Sequence, residues 1–179
     1  MTASLDYILE AVKRSVSAVP DALIDEFIEH IVSAKTVFVY GSGRSGLTGQ
    51  FFCVRLVQMG MDVHFVGDMT TPIITKDDLT ILISRTGNTM SAVQTANIAR
   101  RIGSKVIAIT AHTDTKLTIA ADTVILLPDA KDKERAKHAP LGTVFEDAAV
   151  LFLDSIIPRI MERLKLTESD MRKRHAIWV

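Results

Sequence analysis

Apolar positions along this chain follow two rhythms. Leu5, Ile8, Leu9, Val12 and Val16 recur at helical spacing, and so do Leu23, Ile24, Phe27, Ile28 and Ile31. Ala18-Val19-Pro20 separates the two stretches, and Asp21 is placed to cap the second. The rhythm then changes. Residues 36–40, 62–66, 79–83, 105–110 and 123–127 are short apolar runs rich in β-branched side chains. Their length and branching predict strands of a buried parallel sheet. Helical patterns lie between them, over residues 47–59, over 90–101 with Gly103 as the stop, and briefly over 117–121. A long helix is expected over 142–164, with Val144, Ala148, Leu151, Phe152 and Ile156 facing inward and Pro158 kinking it. A short last helix over 168–175 leads to Trp178.

Strands alternating with helices, joined by right-handed crossovers, give a doubly wound α/β fold. The expectation is a five-stranded parallel sheet flanked by helices, a three-layer α-β-α sandwich. No repeat or linker divides the chain, so one domain is expected: a helical hairpin over 1–34, an α/β core over 35–164 and a C-terminal helix and tail over 165–179. The hairpin must cover either the sheet or a second subunit. Residues 47–59 carry Phe51, Phe52, Val54, Leu56 and Val57 on more than one face. That helix is buried on two sides or lies at a subunit contact. Residues 129–137 are dense in both charges and lack periodicity, which reads as a mobile, solvated loop.

Composition narrows the function. The 179 residues are 47% hydrophobic, enough for a sizeable core, and the formal net charge is zero. A neutral chain lacks the electrostatic footprint of a nucleic-acid or anionic-membrane binder, so neither is expected as a partner. No apolar run approaches the ~20 residues of a membrane helix, and Met1 to Tyr7 does not resemble a secretory signal. A cytoplasmic protein is the expectation. Cys53 is the only cysteine and lies in an apolar run, where it reads as a small buried hydrophobe. His30 and His64 read as packing or surface histidines, and His112 and His138 as solvent-facing loop residues. No His or Cys spacing points to a metal, and no cofactor is expected.

The chemistry concentrates in two loops. Ser84-Arg85-Thr86-Gly87-Asn88-Thr89 follows the third strand and opens onto a helix. Free N–H groups and the positive end of the helix dipole converge there, Ser84, Thr86 and Thr89 add hydroxyls, and Gly87 lets the backbone turn close to a ligand. No Lys follows the Gly, so this is not a nucleotide P-loop. Hydroxyls in its place suit a single phosphate ester. An ordinary helix N-cap uses the same residue types. The other loop, Gly41-Ser42-Gly43-Arg44-Ser45-Gly46, matches the dinucleotide fingerprint letter for letter. That fingerprint also wants an acid ending the second strand, and Asp68 lies beyond it. A second hydroxyl loop is foreign to a nicotinamide site and natural to a phosphosugar site. Ser42, Gly43 and Ser45 would then join the phosphate grip, with Arg44 as a charged fork.

Together the loops resemble the sugar isomerase (SIS) domain family, in which two such loops hold one phosphate. The matching positions are Ser45, Ser84, Thr86 and Thr89. Val66-Gly67-Asp68 with Thr70-Thr71-Pro72, residues 140–147 and Met171-x-x-Arg174-His175-Ala176 extend the likeness over nearly the whole chain, toward the 6-phospho-3-hexuloisomerase branch. Two positions depart from that branch: Asp68 stands where Glu is common, and Ile177-Trp178-Val179 replaces Asn-Leu-Glu. The resemblance implies a cofactor-free isomerase of a small-molecule sugar phosphate. It would interconvert D-arabino-hex-3-ulose 6-phosphate and D-fructose 6-phosphate through a cis-enediol(ate). It further implies a homotetramer, active sites shared between subunits, and a functional link to 3-hexulose-6-phosphate synthase. Phosphate binding would fall to Ser42, Gly43, Arg44, Ser45, Ser84, Arg85, Thr86, Gly87, Asn88 and Thr89, and catalysis to Glu146 and His175.

Each catalytic assignment has a plainer competitor. Thr143-x-x-Glu146 is also a capping box, in which Glu146 only bonds a backbone N–H. His175 follows Arg172-Lys173-Arg174 and could be a solvated tail histidine; as an acid/base it has a suitable unperturbed pKa, and it could serve a neighbouring subunit's site. An aldose–ketose phosphate isomerase of the same fold, or a sugar-phosphate-sensing module without turnover, are the alternatives.

Overall fold

The computed structural model describes residues 2–177, so Trp178 and Val179 of the divergent ending lie outside it. Helices α1 (Thr2–Ser17) and α2 (Asp21–Ser33) form the expected hairpin, followed by β1 (Val37–Gly41), α3 (Arg44–Gln58) and β2 (Val63–Phe65). Next come β3 (Leu79–Ile83), α4 (Met90–Ile102), β4 (Lys105–Thr110), α5 (Lys116–Ala120) and β5 (Thr123–Leu126). The chain ends in α6 (Arg135–His138), α7 (Thr143–Ser155), α8 (Ile157–Leu164) and α9 (Glu168–Lys173).

The five strands make one sheet in the order β2-β1-β3-β4-β5, and every pairing is parallel. Side chains alternate across it, and that alternation sorts the core. Val37, Val39, Leu79, Ile81, Ile83, Ile107 and Ile109 face α2, α3, α7 and α8, where Phe27, Phe52, Leu56 and Phe152 close over them. Leu82, Val106 and Ala108 point the other way, against Val93, Ala96 and Leu117 of α4 and α5. A sheet covered on both faces must be apolar throughout, which is why β3 is buried at every position.

The hairpin divides its work. Phe27 of α2 stacks on Phe152 at 6.0 Å inside the sheet-side core. α1 instead packs along α7 and α6, with Ala11 and Val12 against Val144 and Ala148.

Four expectations need correction. The first-loop helix begins at Arg44 rather than near residue 47, because Gly43 takes φ 59°, ψ −133° and turns the chain at once into the helix. The long C-terminal helix is two helices, with a break at Ile156 and Pro158 in the first turn of α8. A proline there cannot bond back to the preceding turn. Residues 129–137 are not a free loop. They contain the start of α6, Tyr7 of α1 donates its hydroxyl to Asp132 at 2.8 Å, and Asp129 is paired and nearly buried. His138, expected to face solvent, is likewise half-buried, bonded through Nδ1 to the Ser4 hydroxyl at 3.0 Å and set at a tilt against the Tyr7 ring.

Candidate active site

The strand order reverses between β1 and β3, β1 leading outward to β2 and β3 leading the other way to β4. Crossovers leaving two adjacent strands in opposite directions open a crevice at their carboxyl ends. Gly41 pairs in register with Ile83, so the loops that follow β1 and β3 start at the same level, side by side. This juxtaposition comes from the topology and needs no contact between the loops themselves.

The first loop is shaped by close packing. A Cβ on Gly41 would lie 2.7 Å from the Ser45 carbonyl, and one on Gly46 would lie 2.6 Å from the Gly41 carbonyl oxygen. These two glycines let the first turn of α3 sit directly on the end of β1. That explains the letter-for-letter dinucleotide fingerprint without a dinucleotide: the spacing records helix–strand proximity. Gly43 is the N-cap residue of α3 and offers no side-chain cap. Ser45 is buried in the first turn, while Ser42 and Arg44 are exposed beside it.

The second loop is pinned from below. The backbone N–H of Ser84 bonds the Ile109 carbonyl at 3.0 Å, and the Arg85 carbonyl accepts from the Ala111 N–H and the Thr110 hydroxyl. Gly87 has φ +62°, and a Cβ there would run into the Thr115 side chain. Thr89 is the N-cap residue of α4, yet its side chain caps nothing; its hydroxyl pairs with that of Ser84 at 3.1 Å. The ordinary N-cap reading therefore fails. Among the described residues only α5 and α9 carry capping boxes, through Thr115 and Thr167. α2, α6, α7 and α8 also start without a side-chain cap, so what sets α3 and α4 apart is that their first turns follow the carboxyl ends of β1 and β3. Uncapped N–H groups at the positive end of a helix suit an anion. Asn88 is committed elsewhere: its amide donates to the Thr86 carbonyl and its Oδ1 accepts from the Lys116 N–H, tying the loop to α5. Its side chain thus braces the loop, and it also borders the cavity beside Thr86.

Glu146 enters from the head of α7. The capping-box alternative is not what forms. Gly142 is the N-cap residue, and the Thr143 hydroxyl donates to the Pro140 carbonyl at 2.7 Å. The Glu146 side chain, 13% exposed, reaches across to α3, where Arg44 Nη1 stands 3.1 Å from Oε2. The pair is not aligned as a hydrogen bond, and Oε2 is buried with no hydrogen-bond partner among the described residues. Burial pushes the Glu146 carboxyl above its ordinary range, while Arg44 and then Arg85 pull it back. Asp147 is raised by burial too, with Arg44 opposing. Arg85 closes the arrangement: its Nε donates to Asp129 at 2.7 Å, and its stem comes close to Glu146 across Gly142. A Cβ on Gly142 would lie 2.9 Å from both Glu146 oxygens and 3.0 Å from Arg85 Cδ. Arg44, Glu146, Arg85 and Asp129 thus form a row of alternating charge above the strand ends.

His175 is not brought to this row. It lies with Arg55, Gln58, Pro158 and Met171 along a cavity of about 850 Å³ at the far ends of α3 and α7. That cavity is larger than those beside the loops, but it holds none of the loop residues. The site-side cavities are smaller: about 240 Å³ bounded by Arg44, Leu47, Phe51, Glu146 and Asp147, and about 420 Å³ bounded by Thr86, Asn88 and residues 112–115. His112, exposed as expected, lies in the second of these. Two residues escaped the sequence reading. Asp129 carried a signal, since it follows the carboxyl end of β5, but the charges around it masked its pairing. Asp147 carried none beyond its place next to Glu146.

Comparison with known proteins identifies the family and the fold. The SIS domain family model matches residues 30–133. The 3-hexulose-6-phosphate isomerase of Methanocaldococcus jannaschii is 41% identical over 152 residues, 85% of this chain and 82% of that one. The protein of the same name from Bacillus subtilis is 33% identical over 94% of each chain. A crystal structure of a hypothetical protein from Methanococcus jannaschii, for which a 3-hexulose-6-phosphate isomerase function was inferred, superposes with a TM-score of 0.86 at 38% identity, covering 96% of this chain and 98% of that one.

Proposed function

The chain belongs to the SIS domain family, and we propose that it catalyses the 3-hexulose-6-phosphate isomerase reaction, converting D-arabino-hex-3-ulose 6-phosphate to D-fructose 6-phosphate and back. The observation that carries this reading is the largely buried Glu146 carboxylate set against Arg44 of α3, at the switch point where the first turns of α3 and α4 follow neighbouring strand ends. In it, the first turns of α3 and α4, with Ser45, Ser84, Thr86 and Thr89, hold the phosphoryl group. The sugar then extends toward the head of α7.

The reaction moves a carbonyl between neighbouring carbons with no net oxidation. A base removes the proton from carbon 2 of the 3-ketose, giving an enediolate, and a proton returned to carbon 3 gives the 2-ketose. Glu146 is the base in this reading. A carboxylate short of hydrogen bonds and pushed up by burial is more basic than a solvated one, and Arg44 beside it keeps it anionic before the proton is taken. Arg44 and Arg85 also supply positive charge for the enediolate oxygens. The exchange of protons between those oxygens is assigned to His175. One chain holds His175 at the opposite end of α3 and α7, so this role requires the tail of a neighbouring copy.

A neighbouring copy has a surface to use. Leu47, Phe51, Val54 and Val57 are exposed along α3, as are Leu151 of α7, which packs on α3, and Leu5 and Leu9 of α1, which packs on α7. A run of this kind marks an interface. Leu47 and Phe51 also border the Arg44–Glu146 cavity, so a second subunit there would close the site against water. The tetramer implied by the family resemblance would use this face. The reading also needs a synthase that delivers the 3-ketose phosphate.

Incubation with fructose 6-phosphate in deuterium oxide tests the reaction. The expected result is deuterium at carbon 3 of the recovered fructose 6-phosphate together with formation of the 3-ketose. Retained binding without exchange would leave a sugar-phosphate-sensing module.

A further inference from the structure

The four alternating charges above the strand ends come from four separate segments. Arg44 opens α3, Arg85 sits in the loop after β3, Glu146 lies on the first turn of α7, and Asp129 follows β5. The proposed chemistry uses the first three and leaves Asp129 without a task. Its side chain is 6% exposed, a costly place for a carboxylate whose only service would be to a surface arginine. It is also firmly held: Oδ2 accepts from Arg85 Nε at 2.7 Å, and Oδ1 accepts from the Ala130 N–H at 2.9 Å.

Arg85 cannot position itself. Its backbone is fixed by Thr110 and Ala111, but its side chain is long and has many rotamers. Gly142 leaves the gap through which its stem passes beside the Glu146 carboxylate. An arginine free to turn there would have Glu146 as its nearest anion. It would neutralise that carboxylate as a fixed ion pair and withdraw itself from substrate.

We propose that Asp129 is a positioning residue, whose buried carboxylate turns the Arg85 guanidinium away from Glu146 and anchors the hydroxyl loop to the segment after β5. This rests on the isomerase reading for its kinetic consequence but not for its electrostatic one. The groups facing Glu146 are Arg44 from α3, Arg85 from the hydroxyl loop, Asp147 on α7 and Asp129 from the segment after β5. Asp129 acts on Glu146 in two ways of the same sign: it opposes the proton's loss directly, and it occupies Arg85, which favours that loss.

Two substitutions separate charge from position. Asp129→Asn keeps an oxygen for Arg85 and removes the charge. Asp129→Ala removes both. Carbon-13 NMR titration of the free protein, with the Glu146 signal assigned from its loss in Glu146→Gln, reads the carboxyl without any substrate. Asp129→Asn is expected to lower the Glu146 midpoint by about half a pH unit or more, the size of one nearby charge in a partly solvated site. In the kinetic arm, Asp129→Asn moves the acid limb of the kcat/KM profile down by the same amount. Asp129→Ala raises KM for fructose 6-phosphate about tenfold, as for the loss of a charge-assisted hydrogen bond. That KM effect disappears when Arg85 is already alanine. An unmoved Glu146 midpoint in a folded Asp129→Asn protein overturns the proposal, even if no sugar phosphate is turned over. Equal KM increases with and without Arg85 overturn it as well. A wild-type protein inactive on fructose 6-phosphate whose Glu146 midpoint still shifts in Asp129→Asn removes the isomerase reading and keeps the electrostatic role.

Discussion

Glu146 shows how one position can be placed against stability. Its carboxyl is raised mainly by burial, with Arg44 and Arg85 only partly offsetting the loss of water. A carboxylate whose folded pKa exceeds its unfolded one favours the folded state while protonated, and that contribution is lost as pH rises through the raised value. Above that window the charged side chain is a liability. Glu146→Gln is therefore expected to abolish isomerisation while raising the melting temperature at neutral pH; calorimetry beside the exchange assay reads both, and a lowered melting temperature would mean that the charge supports the fold. The hydroxyls behave differently. Ser84 is buried at the head of the loop and its hydroxyl meets that of Thr89, so replacing it removes a hydroxyl from the proposed phosphate grip without opening the core. Ser84→Ala is expected to raise KM by about tenfold or more, the worth of a hydrogen bond to a charged group at about 1.5–3 kcal/mol, with kcat less affected. A KM at the wild-type level would move the phosphate away from this loop.

Elements were legible where a single periodicity ruled and less so where two demands overlapped. The strand runs and the helix at Met90 stand where the pattern puts them, whereas Asp21, expected as a cap, is the first residue inside α2, with Pro20 at the N-cap. α3 was placed too late because its first turn is written in glycine and serine, residues whose helical conformation here is imposed by contact with β1. The charged stretch after Pro128 looked featureless because its order comes from Tyr7, Ser4 and Arg85, partners distant in sequence. α3 was also read correctly as apolar on more than one face. Phe52 and Leu56 are fully buried against the sheet, whereas Val54 is 56% exposed. In an isolated chain Val54→Asp would cost about 0.5 kcal/mol or less, as surface changes do. At a subunit contact it buries an unpaired charge. Sedimentation is expected to show smaller assemblies for Val54→Asp with the helical content kept; an unchanged sedimentation coefficient would place the interface on another face.

At the scale of the whole molecule, the proposed site couples ligand to fold, since two loops on neighbouring strands would have to be in register to share a phosphate. Fructose 6-phosphate at 100 times its Kd is expected to stabilise the protein by about 2.7 kcal/mol. That is a melting shift of roughly 5–10 °C for a chain of this size, readable by calorimetry. Inorganic phosphate would give a smaller shift at the same site, and no shift with either would argue against the pocket. The order of hydrophobic and polar residues determined by itself the five strands, the helices between them, the parallel sheet and the two hydroxyl-bearing loops. Those depend on local periodicity and on turn chemistry, which short stretches of chain contain in full. Only the tertiary structure decided that Thr89 leaves its helix uncapped, that Glu146 faces Arg44 instead of capping α7, that Arg85 turns to Asp129, and that His175 stands at the opposite end. Thr89 chooses its near neighbour Ser84 over its own helix; the others are choices among partners far apart in sequence, and burial and charge make them once the sheet has set the distances.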